Sequence, residues 1–310
     1  MRPPLAHSKR FQGFSLLELI VVLSIISILI GLLLPAVQQV RAAAARMRCG
    51  NNLRQLGLAL HHYQTMHESF PPAIETDPKK MRFLTWQARL LPMLDRTALW
   101  EQTVAAFAAT PEFTEPPHHA LLATVLPVLT CPADGPSQVT QVFIPQVYFP
   151  PTPNPPQNRI GLTTYVGVNG LSRDRKDGIL YASSHVRPTD ITDGLSSTLM
   201  VGERPSNYRF KYGWWYAGAG ASRTGGIDNN LGAREAIADL DDLISCTYPP
   251  RTFGPGTMRD PCDAIHFWSY HIGGAHFLFA DGSVHFLRYE ADTILTALAT
   301  RAGGEVVSLD

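Results

Sequence analysis

The chain has 310 residues, of which 45% are hydrophobic and 17% charged, enough for one large domain or two smaller ones with a buried core. Lys+Arg and Asp+Glu both number 26, so no overall basic field favours nucleic acid and no acidic field favours cationic partners. Plentiful Gly (24) and Pro (25) suit a body rich in loops and strands rather than a helical bundle.

The N-terminal stretch "RFQGFSLLELIVVLSIISILIGLLLPAV", Arg10 to Val37, is apolar from Phe14 onward except for Glu18. As a helix, Phe14 to Val37 is roughly 36 Å long, enough to cross a bilayer core. Arg2, Lys9 and Arg10 form a short cationic flank ahead of it. A secretory signal peptide has a shorter apolar region and small residues at its cleavage site, whereas "LLLPAVQQV" puts Leu34 where a small residue is wanted. An ordinary anchor has no use for Glu18, because a carboxylate near a membrane-embedded helix end costs on the order of a few kcal/mol unless paired. Alone, it would have to snorkel to the interface. Arg41, Arg46, Arg48 and Arg54 follow the span, so the positive-inside comparison is close to a tie.

"GFSLLELIVVLSIISILIGLLLP" closely resembles the type IV prepilin signature. The resemblance implies a peptidase that cuts after Gly13 on the cytoplasmic side and methylates the new amine of Phe14. It makes Glu18 the fifth mature residue and an assembly residue. It also puts Pro35 where pilin helices often kink or locally melt. The terminal amine of a neighbouring subunit is a cation at a suitable depth for Glu18, and that pairing favours a head-to-tail, open assembly. The implied organisation is a cytoplasmic leader, 1–13, then a long helix, 14–70, spanning the membrane over about 14–37, then an extracytoplasmic head, 71–310. The implied location is the inner membrane, single-pass, with the head in the periplasm.

Beyond Pro35 the helix pattern continues, with Val37, Val40, Ala44 and Met47, then Leu53, Leu56, Leu60 and Tyr63, three or four apart. A phase shift is expected near Gly50-Asn51-Asn52, and Phe70-Pro71-Pro72 ends the helix. Arg82 to Phe107 reads as a second helical region interrupted at Pro92, with Trp86, Leu90, Leu94, Trp100 and Phe107 in the core. The proline-rich 143–157 reads as an exposed loop of polyproline II character. "TTYVGVNG", "GILYAS", "STLMVGE" and "YGWWYAG" read as short strands, with Asp-Gly turns at 134–135, 177–178, 193–194 and 281–282. "EADTILTALATRAGG" reads as a short helix capped by Asp292 and stopped at Gly303-Gly304. The expected fold is α+β, pilin-like: a long N-terminal helix on an antiparallel sheet.

The cysteines are Cys49, Cys131, Cys246 and Cys262, with no C-x-x-C pair. An even number beyond a membrane segment predicts two disulfides in an oxidising compartment. Four cysteines allow three connectivities. The pairing expected is Cys49–Cys131, pinning the helix to the head, and Cys246–Cys262, closing a local loop.

In "HIGGAHFLFADGSVHFL", 271–287, Asp281-Gly282 is expected as a two-residue hairpin turn with Phe279 facing Val284 and Phe277 facing Phe286. The other face carries His276, Leu278, Ala280, Ser283 and His285. His271, His276, His285 and Asp281 invite a metal reading, but their spacing matches no ligand motif, so the histidines are read as structural and no metal or cofactor is expected. His271 followed after nine residues by Asp281-Gly282 resembles the H-x9-DG signature of a large bacterial family that joins a prepilin-type segment to a domain of unknown function. "NNLRQLGLALHHY", "LLPMLD", "TYVGVNG", "DITDGLSSTLMVGE" and "LATRAGGEVVSLD" resemble it too. The resemblance implies a pseudopilin-like product of a type II secretion-like or type IV pilus-like system. Its partners would be a prepilin peptidase, other pilin-like subunits, an inner-membrane assembly platform and the lipid bilayer. It supplies no activity.

Three further features bear on function. "GWWYAGAG" could stack sugar rings, but adjacent Trp214 and Trp215 are expected to split between core and partial cover. Asp174, Asp177, Asp190 and Asp193 could hold calcium, yet neither segment matches an EF-hand loop. No G-x-S-x-G, H-E-x-x-H or phosphate loop occurs, so the chain reads as non-enzymatic. The rival reading is a membrane-anchored binding module for carbohydrate or peptide that uses the prepilin segment only for export.

Overall fold

The computed structural model describes residues 16–135, 160–206, 212–220, 223–235, 246, 250–305 and 307. The 1–13 leader, Gly13, Phe14 and the proline-rich 143–157 lie outside the described residues. The chain divides into two units, one ending at Ala44 and the other beginning at Ala45.

Helix α1 (Leu16–His67) runs without a break, with Pro35 inside it. In the first unit its apolar side chains from Leu16 to Val37 are almost all exposed. The two serines in this stretch turn their hydroxyls back onto the helix, Ser24 to the Val21 carbonyl at 2.7 Å and Ser27 to that of Leu23 at 2.8 Å. A segment meant for lipid has to satisfy its polar groups internally in this way. Burial begins at Cys49 and Gly50 and continues through Leu53, Leu56, Gly57 and Leu60. The helix passes through Gly50-Asn51-Asn52 unbroken. Val40 and Met47 remain exposed, so the core stripe starts later than the apolar spacing suggested. Glu68, at φ 61°, ends the helix in the left-handed region, ahead of Phe70.

In the second unit, α2 (Trp86–Arg89), a 3-10 turn at Leu91–Leu94 and α3 (Thr97–Ala109) form the expected interrupted helical region. The Thr85 side chain caps α2 by accepting from the Ala88 N–H. A short helix, α4 (His118–Leu122), follows. The sheet comprises β1 (Tyr165–Val168), β2 (Leu199–Glu203), β3 (Asn230–Leu231), β4 (Gly274–Phe279) and β5 (Val284–Arg288), in the order β3-β1-β2-β4-β5. Among these described strands β1 and β3 pair in parallel, and the other neighbours are antiparallel. Helix α5 (Asp292–Ala299) follows β5.

Alternation along the strands supplies two cores. Phe277 and Phe279 of β4 join Val166, Val168, Leu295 and Leu298. Leu278 and Ala280 join Leu53, Leu56 and Leu60 of α1, with Trp86 and Trp215. An irregularity between Leu199 and Val201 lets both Met200 and Val201 reach the α1 side.

Several local expectations change. The 281–282 turn holds a three-residue loop rather than a two-residue one: the Gly282 N–H donates to the Phe279 carbonyl and the Phe279 N–H to the Ser283 carbonyl, with Gly282 at φ 87°. The extra residue shifts the register, so Leu278 faces Val284 and His276 faces Phe286. Both faces of β4 are buried, one in each core. Trp214 and Trp215 are both in the core, at 4% and 0% exposure, which removes the sugar-stacking platform. "GILYAS" forms no strand, and the described part of "YGWWYAG" makes only isolated bridges, such as Leu162–Trp214. Asp292 does not cap α5. Instead it accepts from the Phe253 N–H and pairs with Arg234 at 2.8 Å.

Candidate functional site

The helix stretch that resembles a prepilin segment is one candidate, and the entry of α1 into the head is the other. On the first, Glu18 stands exposed on α1 among apolar neighbours. Gly13 and Phe14 precede the described residues, and Pro35 is accommodated within a continuous helix.

At the second, a disulfide joins Cys49 of α1 to Cys131, across a sequence separation of 82. The other joins Cys246 to Cys262, across 16. Both pairings match the connectivity read from the sequence. Asn52, one turn along, donates to the carbonyls of Thr130 at 3.0 Å and Pro127 at 3.3 Å, holding the Cys131 segment against the helix. It also donates to the Tyr165 hydroxyl at 3.3 Å, which in turn donates to the Cys49 carbonyl at 3.4 Å. Burial first, then the nearby Glu203 carboxylate, pushes the Tyr165 phenol well above its usual range. It stays a neutral hydroxyl.

Helix and sheet approach closely because two glycines remove side chains between them. A Cβ at Gly50 would meet the His276 ring at 3.5 Å, and one at Gly57 would stand 2.8 Å from Leu278 Cδ1. Over the same spot the Arg46 guanidinium lies 3.4 Å from the centre of the Phe286 ring.

Beneath Cys49 and Gly50 sits Glu203, the last residue of β2, at 1% exposure. Its Oε2 accepts from the His276 backbone N–H at 2.7 Å and lies 3.2 Å from His276 Nδ1. Its Oε1 lies 3.5 Å from His271 Nε2, which is also 3.3 Å from Cys131 Sγ. Burial raises the Glu203 carboxyl, but hydrogen bonds and charge from His271 and His276 outweigh it and hold the group below its usual value. A buried carboxylate is tolerable on those terms.

Of the residues considered for a metal, the structure therefore brings His271 and His276 together, ring centres 5.3 Å apart, around a glutamate. It leaves His285 and Asp281 exposed; Asp281 accepts from the Ser283 N–H in the turn. Glu203, at the end of "STLMVGE", belongs to no spaced motif in the chain. The signal was there: a charge closing an otherwise apolar strand needs a partner.

The aspartates considered for calcium have protein partners. Asp190 pairs with Arg187 at 3.1 Å and Asp177 with Arg175 at 2.8 Å. Asp174 lies 3.6 Å from Arg173. Asp193 accepts from the N–H groups of Gly303 and Gly304 at 2.7 and 2.9 Å, tying down the segment after α5.

Elsewhere on the head, a cleft of about 400 Å³ is lined by Lys79, Lys80, Met81, Arg89, Val104 and Phe107, with Lys80 and Arg89 lying 3.5 and 4.0 Å from the Glu75 carboxylate.

An exposed apolar helix that continues into an α+β head is the architecture of a pilin-like protein. The comparisons agree. Residues 8–34 match the prokaryotic N-terminal methylation motif. Residues 38–293 match the family described as a protein of unknown function (DUF1559), and the chain belongs to that family. No curated protein and no solved structure matches the chain. The methylation motif supports a type IV pilin-like precursor; the family has no defined function.

Proposed function

We propose that the protein is a non-enzymatic, membrane-anchored structural subunit of a pseudopilin-like assembly, with its head outside the cytoplasmic membrane. A prepilin peptidase removes the leader after Gly13 and methylates Phe14. The apolar first unit of α1 then holds the subunit in the bilayer beside its neighbours, and a type II secretion-like or type IV pilus-like platform assembles it. The observation that carries this reading is Glu18, the only charged residue in the exposed apolar run from Leu16 to Val37, within a stretch that matches the methylation motif. A carboxylate in a membrane segment is favoured by a cation at the same depth, and the methylated amine of an adjacent subunit is such a cation.

The test is crosslinking of membrane-embedded subunits expressed with their secretion machine. Removing one partner of a buried pair costs about 3–5 kcal/mol, so Glu18→Ala should lower assembly up to roughly a thousandfold. Glu18→Gln, which keeps shape and some hydrogen bonding, should be milder. Equal crosslinking in wild type and both variants would move the anchored-binder reading ahead. The cleft beside Lys79, Lys80 and Arg89 favours that second reading, for a peptide with acidic and apolar groups.

A further inference from the structure

Cys49 Sγ, Cys131 Sγ, Glu203 Oε1 and His271 Nε2 form a compact group of four ligand atoms. All lie within 4.8 Å of one another, on four buried residues from α1, the Cys131 turn, β2 and the segment before β4. A tetrahedral zinc ion with two sulfur, one nitrogen and one oxygen ligand needs ligand atoms about 3.3–3.8 Å apart. The His271 Nε2 edges to Cys131 Sγ and to Glu203 Oε1 are already 3.3 and 3.5 Å. The two sulfurs, bonded in the disulfide, must separate.

A second observation points to a ligand at this spot. Glu203 Oε1 is buried and faces His271 Nε2 at 3.5 Å without a well-formed hydrogen bond, while Oε2 of the same carboxylate is fixed by the His276 backbone N–H. One oxygen is held and the other is presented, the arrangement that outer-shell hydrogen bonds give to metal-binding carboxylates. Gly50, against the His276 ring, leaves the backbone of α1 close to this outer shell.

We propose that the dithiol form of Cys49 and Cys131 binds zinc through those two thiolates, His271 Nε2 and Glu203 Oε1. Zinc and the disulfide are then alternative ways of fastening α1 to the head, through the same two cysteines. The newly made chain carries thiols, and zinc displaces their two protons. Closing the disulfide later passes two electrons to a disulfide oxidant and releases the metal. The reverse, in the test, uses a phosphine and water, which supply two electrons and two protons and leave as phosphine oxide. The inference does not rest on the proposed assembly role.

The test uses the full chain in detergent, with Cys246→Ser and Cys262→Ser removing the other thiol pair. The phosphine-reduced protein is titrated with Co²⁺, then exchanged with Zn²⁺ and desalted. Expected are thiolate-to-cobalt charge-transfer absorption with tetrahedral d–d bands, a single retained zinc per chain, and loss of both on reoxidation. His271→Ala and Glu203→Gln should each weaken metal binding about tenfold or more. His271→Cys, which restores a ligand, should keep tetrahedral cobalt with stronger charge-transfer absorption. The proposal is overturned if the dithiol form binds no cobalt, if the spectrum lacks thiolate and tetrahedral character, or if His271→Ala and Glu203→Gln both bind as wild type does.

Discussion

Gly57 of α1 and Leu278 of β4 touch with no side chain between them: a Cβ at 57 would stand 2.8 Å from Leu278 Cδ1. Leu278 is fully buried among Leu53, Leu56 and Leu60, so it has little room to yield. Gly57→Val should therefore destabilise the head by about 1–3 kcal/mol, as overpacking does. Gly135, which has nothing within 4 Å of a built Cβ, is the control. Urea unfolding should show the loss for Gly57→Val and little change for Gly135→Ala.

The two disulfides should differ in strength. Restricting the unfolded chain is worth more for longer loops, so losing Cys49–Cys131, at a separation of 82, should cost about 4.5 kcal/mol. Losing Cys246–Cys262, at 16, should cost about 3 kcal/mol. Cysteine-to-serine pairs compared by urea midpoint in metal-free, non-reducing buffer check the order. A larger loss for the short loop would count against it.

Two buried carboxylates should give opposite pH dependence. Glu203 is held below its ordinary 4.5 despite burial, so its contribution is present above about pH 4.5 and is lost as pH falls through the lowered value. Asp228 is pushed by burial from 3.8 up to about 7, against the pull of Arg204 and of hydrogen bonds from backbone N–H groups such as those of Gly213 and Gly220. Its folded form favours the proton, so it weakens the fold as pH rises from about 4 to 7. Glu203→Gln should flatten the acid limb of the stability profile, and Asp228→Asn should remove the decline toward neutrality. Unchanged profiles would mean that neither group differs between folded and unfolded chains.

The segment after α5 should depend on Asp193. Hydrogen bonds from N–H groups to a carboxylate are worth about 1.5–3 kcal/mol each, and Asp193 accepts two, from Gly303 and Gly304. Arg301 adds bonds to the carbonyls of Lys176 and Gly178. Asp193→Ala should speed tryptic cleavage after Arg301, with Asp193→Asn intermediate. Equal cleavage rates would show that Asp193 does not hold this segment.

The long helix, both disulfide pairings and the α+β class were legible because each has a local signature: apolar length, the few cysteines, turn chemistry. The hairpin register was not, since one left-handed Gly282 adds a residue to the loop and moves every cross-strand pair. Trp214 and Trp215 mislead for a related reason: alternation sorts faces only where one face meets water, and both are covered here. The Glu203–His271–His276 group escaped detection because its members are brought together by the pairing of β2 with β4 rather than by spacing in the chain. Glu18, by contrast, stands out in sequence, as the one charge in the apolar run from Leu16 to Val37.

The central claim is that this chain is made as a precursor, cut and methylated for assembly. Intact-mass measurement of the membrane-extracted protein tests it most directly. The account predicts a chain beginning at N-methylated Phe14, with both disulfides formed, and precursor retained when Gly13 is replaced by a bulky residue. A mature N-terminus beyond Pro35 would contradict it, for the segment would then be a signal peptide. So would an uncut chain in cells that process their other prepilins.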